Sequence, residues 1–170
     1  MVKDKIKIIR TKIENIIVSI DDIARPVGHF KPDLRCDPRL REKLVKLVEL
    51  CRDEFGNENW MLPATSVYRP FNPEGGGYHI LDAKDPRGHW SGLSADLNYR
   101  LVMKYEDRVK FLRFASQVGL QRIWLKKYGE WWHWSRYGRF VSGHPELWEW
   151  RPEPEVAKMR WQVLKELKLV

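Results

Sequence analysis

The chain has 170 residues, 43% of them hydrophobic, and carries 31 basic against 23 acidic residues for a net charge of +8. That length fits one domain with a single core rather than two. No run of about 18 apolar residues occurs, which excludes a membrane-spanning helix, and the N-terminus lacks the apolar block and cleavage site of a secretory signal, so the expectation is a chain that starts in the cytoplasm.

The excess charge is unevenly placed. Lys3, Lys5, Lys7, Arg10 and Lys12 against Asp4 give five minus one, half of the net charge. Arg122, Lys126, Lys127, Arg136 and Arg139 against Glu130 form a second basic group. Such surfaces favour polyanions, whether nucleic acid, an anionic cell envelope or an acidic substrate, with plain solubility as an alternative of about equal weight. Cys36 and Cys51 are the only cysteines. They fit neither a zinc-ribbon spacing nor a disulfide framework, and the expectation is two reduced, mostly structural thiols, with a single bridge between them as the alternative.

In chain order, Ile6, Ile9, Ile13, Ile16, Ile20 and Ile23 trace one stripe of an amphipathic helix, which the Arg25-Pro26-Val27-Gly28 turn ends. Residues 1–28 are thus expected to form an N-terminal helical extension ahead of a domain spanning 29–170. The stripe is short for a coiled coil, and it packs either on its own domain or on a twin, which would make a dimer. Asp37 then reads as an N-cap with Pro38 at the first helical position, and Leu40, Leu44, Leu47, Val48 and Cys51 as the buried face of a helix ending at Gly56.

Trp60 to Tyr68 reads as a strand interrupted by Pro63. Arg69-Pro70 opens a long loop to Gly88, where Pro73, Gly75 to Gly77 and Pro86 preclude regular structure. Leu93, Ala95 and Leu97 alternate with Ser94, Asp96 and Asn98, the period of a half-buried strand, so Asp96 points away from the core side. Tyr105 to Val118 reads as a helix with Val109, Leu112, Ala115 and Val118 inward and Gly119 closing it. Leu120 to Leu125 and Glu130 to Arg136 read as strands joined by a Lys126-Lys127-Tyr128-Gly129 turn. A last helix follows Pro152-Glu153-Pro154-Glu155. Helices and antiparallel strands in separate runs predict an α+β domain, a small antiparallel sheet flanked by helices.

Two segments carry chemistry. Gly88-His89-Trp90-Ser91-Gly92-Leu93-Ser94-Ala95-Asp96 and Gly129-Glu130-Trp131-Trp132-His133 together offer two imidazoles and two carboxylates. Three nitrogen or oxygen ligands leave a tetrahedral zinc with one open position for water, and a glutamate outside the ligand set can take that water's proton. Gly92 permits the sharp turn that lets His89 and Asp96 converge. Residues three apart in a regular strand face opposite sides, so Glu130 and His133 share a site only if the chain bends between them, for which Gly129 gives an opening.

The set Ser66-x-x-Arg69, His89-x-x-Gly92-x-x-x-Asp96 and Glu130-x-Trp132-His133 resembles the D-alanyl-D-alanine carboxypeptidase and dipeptidase family of zinc peptidases, over roughly residues 30 to 135. Arg87 stands where that family commonly has serine, and Ser94 where it has alanine. The resemblance implies the α+β fold shared with cell-wall endopeptidases and the hedgehog signalling domain, and hydrolysis of peptidoglycan stem peptides or D-alanine-containing peptides. It implies that His89, Asp96 and His133 bind Zn2+, that Glu130 is the general base, and that Arg69, with Ser66 beside it, contacts substrate. Two neutral imidazoles and one carboxylate leave the centre with about one positive charge, enough to polarise a carbonyl. Such an enzyme either stays in the cytoplasm or is released to act on the cell wall. The alternative is a non-catalytic zinc-containing module for envelope polymer or nucleic acid, against which the spare glutamate argues, since a purely structural zinc has no use for a base.

Overall fold

The computed structural model of the chain describes residues 2–28, 31–73, 89–98, 102–123 and 147–150. In chain order these form α1 (Val2–Glu14), β1 (Val18–Ser19), β2 (Ala24–Pro26), β3 (Arg35–Cys36), α2 (Pro38–Phe55), β4 (Leu62–Ser66), a one-turn 3-10 helix (His89–Ser91), β5 (Ser94–Leu97), α3 (Tyr105–Gln117), β6 (Leu120–Ile123) and β7 (Leu147–Trp150). The architecture is α+β. Five strands form one sheet in the order β2-β4-β5-β7-β6, and β1 pairs with β3 in a separate ribbon. All pairs are antiparallel except β2 with β4, which is parallel, so the main sheet is mixed at one edge.

Local chemistry dictates α2. The Asp37 carboxylate accepts from the Arg39 amide at 2.9 Å, Pro38 fills a position whose amide has no intrahelical acceptor, and Gly56 closes the helix with φ +60. Its buried face is Leu40, Leu44, Leu47, Val48 and Cys51, the set that the periodicity predicts. That face meets Leu62, Ala64, Ala95, Leu97, Phe111 and Ala115 in the main core. Cys36 and Cys51 are both free and buried.

The N-terminal stripe departs from expectation. The helix stops at Glu14, and residues 18–26 carry two strands, so segment 1–28 is not one helical extension. The predicted stripe breaks at the helix end, where Ile16 faces solvent and Ile17 is buried in its place, while Ile20 and Ile23 are buried from the irregular chain after β1. Ile6, Ile13 and Ile17 are covered by Tyr68, Phe71 and Trp90 of the same chain. These three isoleucines thus pack on their own domain, the first of the two expected arrangements.

In α3 the inward face is also rotated. Phe111 and Ala115 are buried and Val109 is 42% exposed. A spacing of three at every step drifts round a 3.6-residue helix, so a stripe begun at Val109 cannot stay inward, and the larger Phe111 takes the core position beside Trp60. Nothing in the pattern of residues 147–150 predicts strand β7, yet it lies inside the sheet, between β5 and β6. The predicted turn at 126–129, the strand at 130–136, the helix after residue 152 and the loop from residue 74 to residue 88 lie outside the described residues. Among the described residues, no helix is long and apolar enough to cross a membrane.

Candidate metal centre

Strand alternation places Asp96. Its neighbours Ala95 and Leu97 lie in the main core, so its side chain belongs to the other face of β5. Ser66 on β4 is its direct cross-strand partner, and residues directly opposite in an antiparallel pair share a face. A register shift between Ala64 and Ser66 marks an irregularity at this end of β4. Strand β7 flanks the other side, with Leu147 opposite Asp96.

His89 reaches the same place from the 3-10 turn. The turn is closed by the Gly92 amide donating to the His89 carbonyl at 3.1 Å. It is fastened to the rest of the fold by the Asp37 amide, which donates to the Gly92 carbonyl at 2.8 Å. Gly92 has φ +76, and a Cβ built there would stand 2.8 Å from Ile17 Cγ2 and 2.9 Å from the Asp37 nitrogen. Both conditions demand glycine, in agreement with the turn inferred from sequence.

The imidazole is oriented at both nitrogens. Nδ1 lies 2.6 Å from the Val67 carbonyl. A carbonyl only accepts, so Nδ1 carries the proton in this contact. Nε2 lies 3.3 Å from Asp96 Oδ1. His89 is 2% exposed and Asp96 15%, so water screens the pair weakly. In the neutral ring an Nε2 lone pair facing a carboxylate oxygen is repulsive. A positive occupant, whether a proton on Nε2 or a cation held jointly, would make the contact attractive.

The pair fits a zinc ligand set. Metal-bound imidazoles usually donate their second ring N–H to a carbonyl or carboxylate, as Nδ1 does here to Val67. Two ligands at about 2.0–2.1 Å from one tetrahedral zinc stand about 3.3 Å from each other, which is the separation of Nε2 and Oδ1. Glu130 and His133 lie outside the described residues. Among the described residues, no group of three His, Cys, Asp or Glu side chains could hold a metal ion.

Arg69 follows β4 by three residues and is half-buried, and its Nε is enclosed with no hydrogen-bond partner among the described residues. An enclosed guanidinium N–H of this kind is suited to an anionic or carbonyl oxygen. The Val67 carbonyl was not identified from the sequence. A backbone acceptor leaves no side-chain signature, and only the buried histidine points to one.

Comparison of the chain with protein-family models, with curated proteins and with solved structures finds no match.

Proposed function

We propose that the chain is a zinc metallopeptidase hydrolysing peptidoglycan stem peptides or other D-alanine-containing peptides. The observation that carries the reading is the His89 ring, whose Nδ1 is bonded to Val67 and whose Nε2 stands 3.3 Å from Asp96. His89, Asp96 and His133 would hold the ion. Polarisation of the scissile carbonyl and acidification of a water are what zinc supplies when bound.

The remaining work falls to side chains of the protein. Glu130 removes the proton from the attacking water and returns it to the leaving amine, which requires hydrogen-bond reach and a carboxylate outside the ligand set. Arg69 holds the developing oxyanion or a substrate carboxylate, and its planar fork suits either. Val67 keeps His89 in the tautomer that leaves Nε2 as the ligand atom. Ser66, on the face shared with Asp96, borders the substrate.

The test is incubation of the zinc-loaded protein with purified peptidoglycan and, separately, with D-Ala-D-Ala, the products being identified by mass spectrometry. Release of D-alanine or of cleaved stem peptide, abolished by chelation and restored by zinc, is the expected result. Retained zinc without hydrolysis of either substrate would return the reading to a non-catalytic module.

A further inference from the structure

The chain upstream of the main sheet packs against the segments that carry His89 and Val67. Ile6, Ile13 and Ile17 share one buried cluster with Tyr68, Phe71 and Trp90. Trp90 directly follows His89, and Tyr68 directly follows Val67, whose carbonyl takes the ring proton. The cluster therefore grips both ends of the His89–Val67 contact. Trp90 is 1% exposed and packs on Phe71 with ring centroids 4.8 Å apart. Arg10 adds a polar tie, its Nε donating to the Phe71 carbonyl at 2.7 Å. Ile17 also bears on Gly92, as the 2.8 Å approach to a Cβ built there records. Ile17 thus approaches the turn at Gly92 and belongs to the same buried cluster as Trp90, the residue on the other side of Ser91. Close-packed interiors pass such a constraint on, because no void absorbs a shift.

We propose that α1, with the Ile17 that follows it, is the positioning element of the turn that bears His89, fixing the imidazole against Val67 and Asp96. The helix contributes no ligand; it acts through Trp90 and Gly92. Its consequence for metal affinity rests on His89 and Asp96 being ligands. Its consequence for the His89 ring does not.

The experiment compares the full-length chain with Ile13→Ala, Ile17→Ala and, as a control, Leu47→Ala, whose side chain is wholly buried in the other cluster. Two quantities are read: exchange of the His89 Nδ1 proton with solvent by NMR in metal-free protein, and the zinc Kd by chelator competition. Ile13→Ala and Ile17→Ala are expected to speed ring-proton exchange about tenfold or more and to weaken zinc about 10- to 100-fold, the range of second-sphere changes. Leu47→Ala is expected to lower Tm as much while leaving both at wild-type levels, and Ile17→Val to restore both. If an alanine variant does not fold, Arg10→Met makes the same comparison without opening a cavity. Ring-proton exchange unchanged in the isoleucine variants, or changed equally in Leu47→Ala, overturns the proposal. A wild type that protects the ring proton but never binds zinc overturns the peptidase reading instead, and the ring proton still decides the role of α1.

Discussion

Nε2 of His89 and Oδ1 of Asp96 stand 3.3 Å apart, the ring brought in by a one-turn helix and the carboxylate by a central strand. With the ring's other nitrogen bonded to Val67, a cation between Nε2 and Oδ1 would turn this contact from repulsive to attractive. Asp96→Asn keeps the size, removes the charge and supplies an amide donor to Nε2. Zinc affinity is expected to fall by more than about 100-fold, beyond what loss of a second-sphere partner costs. The urea midpoint of the metal-free protein is expected to hold or rise, because a repulsive contact has become a hydrogen bond. Chelator competition and urea denaturation check the two halves separately; a metal-free variant that is clearly less stable would indicate a protonated His89 paired with Asp96 instead.

Glu130→Gln is expected to retain zinc and the wild-type Tm while hydrolysis falls roughly 10²- to 10⁴-fold, the contribution general acid–base catalysis usually makes. Steady-state kinetics beside metal analysis of the same preparation decides it. Loss of zinc together with activity would make Glu130 a ligand.

Gly92→Ala meets two penalties at once, a positive φ and contacts of 2.8 and 2.9 Å. A destabilisation of about 2–5 kcal/mol is expected, from backbone strain and overpacking together. Gly56→Ala is the control. That residue also has positive φ, yet a Cβ there would meet nothing within 4 Å, so only the backbone cost of about 1–2 kcal/mol applies. Urea unfolding of the two variants separates strain from crowding.

Burial pushes the thiols of Cys36 and Cys51 up from an ordinary 9.0 to about 12, and the Tyr68 hydroxyl, also chiefly through burial, from 10.0 to about 12. Each group keeps its proton longer folded than unfolded. The unfolded chain therefore binds fewer protons between about pH 9 and pH 12, and stability is expected to be intact below pH 9 and to decline through that window. Urea midpoints measured from pH 8 to pH 11 check it, and the double substitution Cys36→Ala, Cys51→Ala should flatten the slope.

The sequence made α2 fully legible because every local rule agrees there: cap, proline, stripe and terminal glycine all specify the same helix. It overextended α1 because the three-and-four spacing runs on past Glu14 to Ile20 and Ile23, which are buried from irregular chain rather than from a helix. Strand β7 was invisible for a different reason. Leu147 to Trp150 is four residues long, and its place depends on partners about 25 and 50 positions upstream rather than on its own pattern. In the candidate centre, the approach of His89 to Asp96 is legible in the sequence because Gly92 marks the turn between them. Val67 was not, since any residue offers the same carbonyl.

The placement of β7 has a consequence for how the protein is made. Strands β5 and β6 flank it, so neither gains its inner neighbour until the ribosome has synthesised the chain through Trp150. Until then a nascent chain holds two unpaired ladder edges, the kind of surface that recruits foreign strands. Fragments ending before residue 147 should consequently collect in inclusion bodies even though α2 and the core residues of β4, β5 and α3 are already made.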